Sequence, residues 1–437
     1  MFLYYFDLAL RSFRSARGLT ALMVLTVAMG IGASMTTLTT FRALSGDPIP
    51  GRSASLMRVQ LDVGQKETFV PGAEPNDQLP RFDAEALLRD KKAFRQAAMV
   101  GGEVSIEPAA DAPGALKPFD SSARYTTADF FAMFNVPFLY GQGWSAADDD
   151  AKAEVVVLSR ETNQRVFGGA NSVGRTLRFD NVDYRVIGVL DVWQPVPYFF
   201  DLNVGRYRQT EGVFLPLSVS IERKLGENGT VNCWAETPTP DFRALNAECA
   251  WIGYWAELRT PAERQSYLEY LTQYSVAQHA AGRFKREPNP RLHPVMEWLS
   301  VKHVVPSDVR LQLWLAFGFL AVCLVNTVGL LLAKCLRRSA EIGVRRALGA
   351  SKRAIFAQFL VEAGAIGLAG GVLGLSFAAI GVWLVHNGTQ RGAEWVHMDA
   401  MTLVMTFVLA IGATLLAGLL PAWRACEVSP ASQLKAS

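Results

Sequence analysis

Few side chains in this sequence are spaced for chemistry. The five histidines, His279, His293, His303, His386 and His397, make no metal-ligand set, and there is no H-E-x-x-H pair, C-x-x-C pair or G-x-S-x-G elbow. Isolated histidines are more often exposed or structurally satisfied than ligating, so none is assigned a role and no metal site is expected. The glycine-rich stretches Gly226 to Gly229 and Gly364 to Gly374 lack the closing Gly-Lys-Ser/Thr that would cradle phosphates and hold magnesium. No catalytic residue is therefore expected, nor a directly bound cofactor. Of five cysteines, Cys323, Cys335 and Cys426 fall on or beside apolar runs. Cys233 and Cys249 do not, and a disulfide between them is expected in an oxidising compartment, the alternative being two buried free thiols.

One stretch has a pattern suited to docking. Arg337 to Gly349, RRSAEIGVRRALG, reads as a short amphipathic helix over about 337–349. Ile342, Ala347 and Leu348 offer apolar contacts, Glu341 can pair with Arg345 one turn on, and Gly349 suits a C-terminal stop. A loop obeying only the positive-inside rule would need neither the apolar face nor the glycine.

This segment must be held by its neighbours, and those belong in a membrane. Half of the 437 residues are hydrophobic and only 19% are charged, with a mean hydropathy of +0.16, too apolar for an ordinary soluble chain unless the excess lies in spans. Leu19 to Phe41, Leu311 to Ala333, Ala363 to Val385 and Met401 to Trp423 each run without a charge and are long enough to cross about 30 Å of hydrocarbon as helices. The first is too long for a signal-peptide core and is read as a retained anchor. Lys334, Arg337, Arg338, Arg345, Arg346, Lys352 and Arg353 crowd the second link and predict it to be cytoplasmic. Alternation places both termini there too, in agreement with Arg11, Arg14 and Arg17 at one end and Arg424 and Lys435 at the other. The expected organisation is 1–44, a cytoplasmic amphipathic segment and first span; 45–308, an extracytoplasmic α+β domain; and 309–437, three spans with the short helix between the first two of them. The net charge of +3 is small and there is no basic arm, so nucleic acid is not an expected partner.

Within the third span, Gly367 with Gly371 and Gly370 with Gly374 form overlapping G-x-x-x-G seams, for which close helix packing is a sufficient reading. Asn326 lies deep in the second span and is expected to face a partner helix. Glu362, one turn inside the third, is expected to do the same or to reach headgroups. In the outer domain, Val155 to Leu158, Thr176 to Phe179 and Tyr184 to Leu190 read as strands; Pro80 to Gln96, Glu161 to Phe167 and Ala262 to Ala281 read as helices. The segment from Asp191 to Val305 is otherwise hard to parse.

Four features in order resemble the MacB/FtsX-like permease family, the transmembrane subunits of type VII ABC transporters. They are LALRSFRSARGLTALMVLTVAMGIG at Leu8 to Gly32; DFFAMFNVPFLYGQ, VVVLSRETNQRVFGG, VGRTLRF and YRVIGVL in the outer domain; the run from Asn326 to Gly374 containing EIGVRRALGAS; and PAWRACEVSPASQLK from Pro421. The resemblance implies an inner-membrane permease with a porter- and sabre-like periplasmic domain. It makes Glu341, Ile342, Gly343, Arg345, Arg346, Leu348 and Gly349 part of a coupling helix that docks on an ABC ATPase dimer, where ATP and magnesium would be bound. The ATPase is expected on a separate chain. Further expected partners are a second permease copy or paralogue, membrane lipid, a periplasmic adaptor and a TolC-like outer-membrane channel. Efflux by mechanotransmission is the expected function, with lipoprotein release or FtsX-like control of a cell-wall hydrolase as alternatives.

Overall fold

The computed structural model describes residues 17–70, 72–108, 117–235, 241–305, 307–386 and 400–427. Arg11, Arg14, His397 and Lys435 lie outside them. The chain divides into a helical unit, Met1–Ser45 with Val305–Ser437, and an α/β unit, Gly46–Val304.

In the α/β unit the chain order is β1 (Leu56–Gln60), β2 (Leu79–Pro80), α2 (Arg81–Asp90), β3 (Arg95–Glu107), β4 (Phe119–Thr126), α3 (Asp129–Met133), β5 (Phe138–Gly141), α4 (Ala146–Asp150), β6 (Val155–Leu158), α5 (Arg160–Phe167), β7 (Thr176–Phe179) and β8 (Val182–Leu190). It continues through β9 (Val213–Pro216), α6 (Leu217–Arg223), β10 (Asn232–Cys233), β11 (Cys249–Glu257), α7 (Pro261–Ala280), β12 (Arg291–Pro294) and α8 (Val295–Val301). The strands pair in the order β12-β1-β11-β3-β4-β9-β6-β8-β5. β4–β9 and β6–β8 are parallel and the other pairs along this path antiparallel. β7 pairs with β8 and also with β3, so the ladder runs from β3 through β4, β9, β6 and β8 back to itself.

The sheet has a core on each face, which follows from the two-residue period of a strand. Ala98, Val100, Met57, Tyr254 and Ala256 enter one core; their neighbours Ala97, Met99, Leu56 and Trp255 enter the other, with a cluster of Phe130, Phe134, Phe199 and Phe200. α5 starts at Ser159, whose hydroxyl accepts from the Thr162 amide, and ends at Gly168 with φ +67°. The segment read as one helix from Pro80 to Gln96 stops at Asp90, because Lys91 adopts φ 46° and the chain turns into β3.

The helical unit has α1 (Arg17–Ser45), α9 (Ser307–Arg337), α10 (Ser339–Ala347), α11 (Lys352–His386) and α12 (Ala400–Glu427). Four of these, α1, α9, α11 and α12, are long and apolar enough to cross a membrane. The two glycine seams of α11 face different helices. A β-carbon on Gly370 would lie 2.7 Å from Val27 Cγ1, and one on Gly374 3.0 Å from the Ala28 carbonyl, both on α1. A β-carbon on Gly371 would lie 3.0 Å from Ala410 Cβ, and one on Gly367 3.1 Å from the Ala410 carbonyl, both on α12. Glycine thus lets α11 sit close to two neighbours at once, where lipid supplies no hydrophobic drive for packing.

Candidate functional site

α10 owes its position to a break and a stop. Its N-cap, Arg338, adopts φ −102° and ψ 10°, off the helical line of α9. At the other end Gly349 adopts φ +100°. The Gly349 amide donates to the Arg346 carbonyl at 3.1 Å and the Ala350 amide to the Arg345 carbonyl at 3.0 Å. This is the paired closure that lets a glycine in the left-handed region reverse the chain after a helix. The Ser351 hydroxyl then accepts from the Ala354 amide at 3.2 Å and caps α11.

The faces of α10 divide the predicted docking residues. Ile342 is 6% exposed and packs with Cys335, Ile355, Phe359, Ala422 and Cys426 from α9, α11 and α12. Gly343 is buried beside it. Leu348 is 84% exposed and Val344 56%. Successive residues turn by about 100°, so Val344 and Leu348 point within about 40° of each other while Ile342 points the other way. The sequence pattern counts Ile342, Ala347 and Leu348 together as apolar contacts of a docking helix; the structure turns Ile342 inward, where it holds the helix on the bundle. Val344 was missed, and its signal was the same angular count.

The charged residues of α10 are partnered within the chain. Glu341 accepts from Arg338 Nε at 3.0 Å and pairs with Arg345 Nη2 at 2.8 Å. Arg345 Nη1 donates to Gln358 Oε1 at 3.1 Å, and Arg346 Nη1 to the Cys426 carbonyl at 3.1 Å. Glu362 is buried against the ammonium of Lys334. It does not extend toward headgroups. Asn326 is exposed on α9.

In the α/β unit, Cys233 and Cys249 are opposite each other on β10 and β11 and form a disulfide. Among the described residues no group of three or more His, Cys, Asp or Glu is placed to hold a metal. His293 lies between Glu74 and Glu297 at 2.9 and 3.0 Å, and His279 Nδ1 is 3.0 Å from the Phe284 carbonyl. Inside the aromatic core the Arg124 guanidinium, fully buried, meets both Asp201 and Glu211, and also donates to the Tyr198 hydroxyl at 2.8 Å. Burial opposes its charge, but Glu211, Tyr198 and Asp201 hold it protonated and well above its ordinary range. The two acids and the tyrosine come from segments distant from β4 in the chain, so the cluster ties those segments together inside the core.

Residues 20–248 match the family model of the MacB-like periplasmic core domain, and residues 313–430 match that of the FtsX-like permease C-terminal. A macrolide export ATP-binding/permease protein MacB of Marinobacter nauticus is 24% identical over 443 residues, covering 98% of this chain and 60% of its own length. The pyoverdine export ATP-binding/permease protein PvdT of Pseudomonas entomophila is 25% identical over 313 residues, covering 70% of this chain and 41% of its own length. The chain thus spans 60% of the first relative and 41% of the second. Among solved structures, the periplasmic region of MacB from Actinobacillus actinomycetemcomitans aligns over 60% of this chain and 97% of that one, at 13% identity and a TM-score of 0.37.

Proposed function

The chain belongs to the MacB/FtsX-like family of ABC transporter permeases, and from that premise we propose that it couples ATP hydrolysis by a separate ABC ATPase to movement of its periplasmic unit. The exposed pair Val344 and Leu348 on α10 carries this reading. A leucine left 84% exposed on a short helix closed by Gly349, at the end of two spans, is an anchor for a partner's groove. Docked there, the ATPase dimer would displace α10 as it closes on ATP, and the spans would carry that displacement outward. Export of a bulky amphiphile is the output favoured by the macrolide and pyoverdine exporters among the relatives.

A second copy of the chain is part of the proposal. Asn326 is exposed on α9 about 6 Å from the midpoint between Arg310 and Lys334, and an amide in hydrocarbon is costly unless another amide meets it. β-carbons added at Gly318 and Gly329, on the same face of α9, would meet nothing within 4 Å. That face suits close approach of an identical helix.

The decisive test is Leu348→Asp. A carboxylate placed in a partner's apolar groove should weaken association by about 2 kcal/mol or more. The variant should accumulate normally, fail to co-purify with its ATPase and lose permease-stimulated ATP hydrolysis. Normal co-purification with full stimulation would end the case for α10 as the coupling element.

A further inference from the structure

The end of the bundle next to α10 contains a charge circuit that helix packing does not require. Lys334, one turn before the end of α9, and Glu362, on α11, have side chains only 3% and 1% exposed and are paired directly. The other Glu362 oxygen is 3.9 Å from Arg338 Nη1, at the break between α9 and α10. Arg338 pairs with Glu341, Glu341 with Arg345 at 2.8 Å, and Arg345 donates to Gln358, which returns the circuit to α11 at 3.1 Å. Glu362 and Gln358, one turn apart on α11, are thus tied to the two ends of the α9–α10 corner.

Apolar side chains could fill the same space, so the charges need a reason. Methyl groups slide past one another with little loss. A buried ion pair does not, because separating it leaves two charges without compensation in a dry site. The Lys334–Glu362 pair therefore fixes the register of α9 against α11, and Arg338 extends that constraint to α10.

We infer that Lys334, Glu362, Arg338 and Glu341 form a rigid relay that makes the adjoining ends of α9 and α11 move with α10 as one body, so that a displacement of α10 becomes a tilt of both spans. Lys334 and Glu362 are positioning residues in this scheme and touch neither the ATPase nor the cargo. The inference rests on the proposed coupling role of α10, but it concerns what happens after docking.

The test uses the full chain with its ATPase in lipid nanodiscs, carrying spin labels on cysteines placed at Leu336, which is 67% exposed, and at the exposed Lys352. In the parent chain the distance between the labels should stay a single population with and without ATP. Glu362→Gln should still co-purify with the ATPase, since Val344 and Leu348 are untouched. It should lose stimulated hydrolysis by about tenfold, within the usual range of coupling between sites, and show a second distance population with ATP. Exchanging the charges, Lys334→Glu with Glu362→Lys, should restore both readouts. A Glu362→Gln variant with a single distance and full stimulation overturns the relay, and so does an exchange variant as defective as the single one. Should Glu362→Gln fail to accumulate, the exchange variant decides: recovery of accumulation and stimulation supports the relay, and absence of recovery overturns it. Loss of ATPase binding by the parent chain would instead refute the docking role of α10.

Discussion

Glu227 sits where a carboxyl is least comfortable. Its side chain is 8% exposed, one oxygen is 2.9 Å from Arg243 Nε, and the other has no hydrogen-bond partner among the described residues. Burial pushes its pKa up to about 7, against the pull of Arg243 and with a further push from Asp241. Between about 4.5 and about 7 the folded chain therefore holds a proton that an unfolded glutamate, with its ordinary value of 4.5, has released. Stability from this group is complete below about 4.5 and is lost as the pH rises through about 7. Glu227→Gln should stabilise the chain in detergent at pH 8, by about 1 to 2 kcal/mol after allowance for partial solvent access, and change its unfolding midpoint little at pH 5. Equal effects at the two pH values would show that the carboxyl stays ionised throughout. Nothing in the sequence marked Glu227, or the pairing of Arg124 with two acids, because a buried charge looks like a surface one until the fold brings its partners from distant segments. Ile342 and Val344 are different: their angular separation on a helix was there to be counted.

The apolar runs and their breaks were readable in the sequence because spans are constrained by length and charge alone. α10 was readable from its glycine stop and its basic flanks. The strands buried on both faces were not. All nine residues of β11 are buried, so its sequence CAWIGYWAE has no alternation to separate strand from helix. Likewise the stop after α2 falls on Lys91, a residue with no preference for the left-handed turn it makes. The glycine seams of α11 announced close packing but not that they face two different helices. That geometry gives a specific expectation. Gly374→Ile would drive a side chain into the Ala28 carbonyl, which cannot rotate away, and should destabilise the bundle by about 3 kcal/mol or more. Gly364→Ile, where the nearest atom to an added β-carbon is a leucine methyl at 3.6 Å, should be tolerated. Thermal aggregation of the two variants in detergent distinguishes them, and equal midpoints would mean that the seam is not closely packed.

For the chain as a whole, the positive-inside rule predicts a cytoplasmic α10 from the basic residues around it, and that prediction makes a concrete demand on topology. A reporter fused after Ser351 should read as cytoplasmic and one inserted near Asp149 as periplasmic; finding both on one side would overturn the four-span arrangement. The periplasmic placement also suits the Cys233–Cys249 bond, which closes a loop of 16 residues and by loop entropy contributes about 3 kcal/mol. The return of the ladder through β7 to β3 has its own consequence. Strands at an open edge exchange their amide hydrogens by fraying one at a time, whereas β3, β4, β9, β6, β8 and β7 each have a paired neighbour on both sides. Their slowest amides should exchange at one common rate, set by opening of the whole ring, while those of β5 and β12 at the two ends of the path exchange sooner. A ring that opens only as a whole can be pushed from one end without losing its shape, which is what the proposed transmission of movement would require of it.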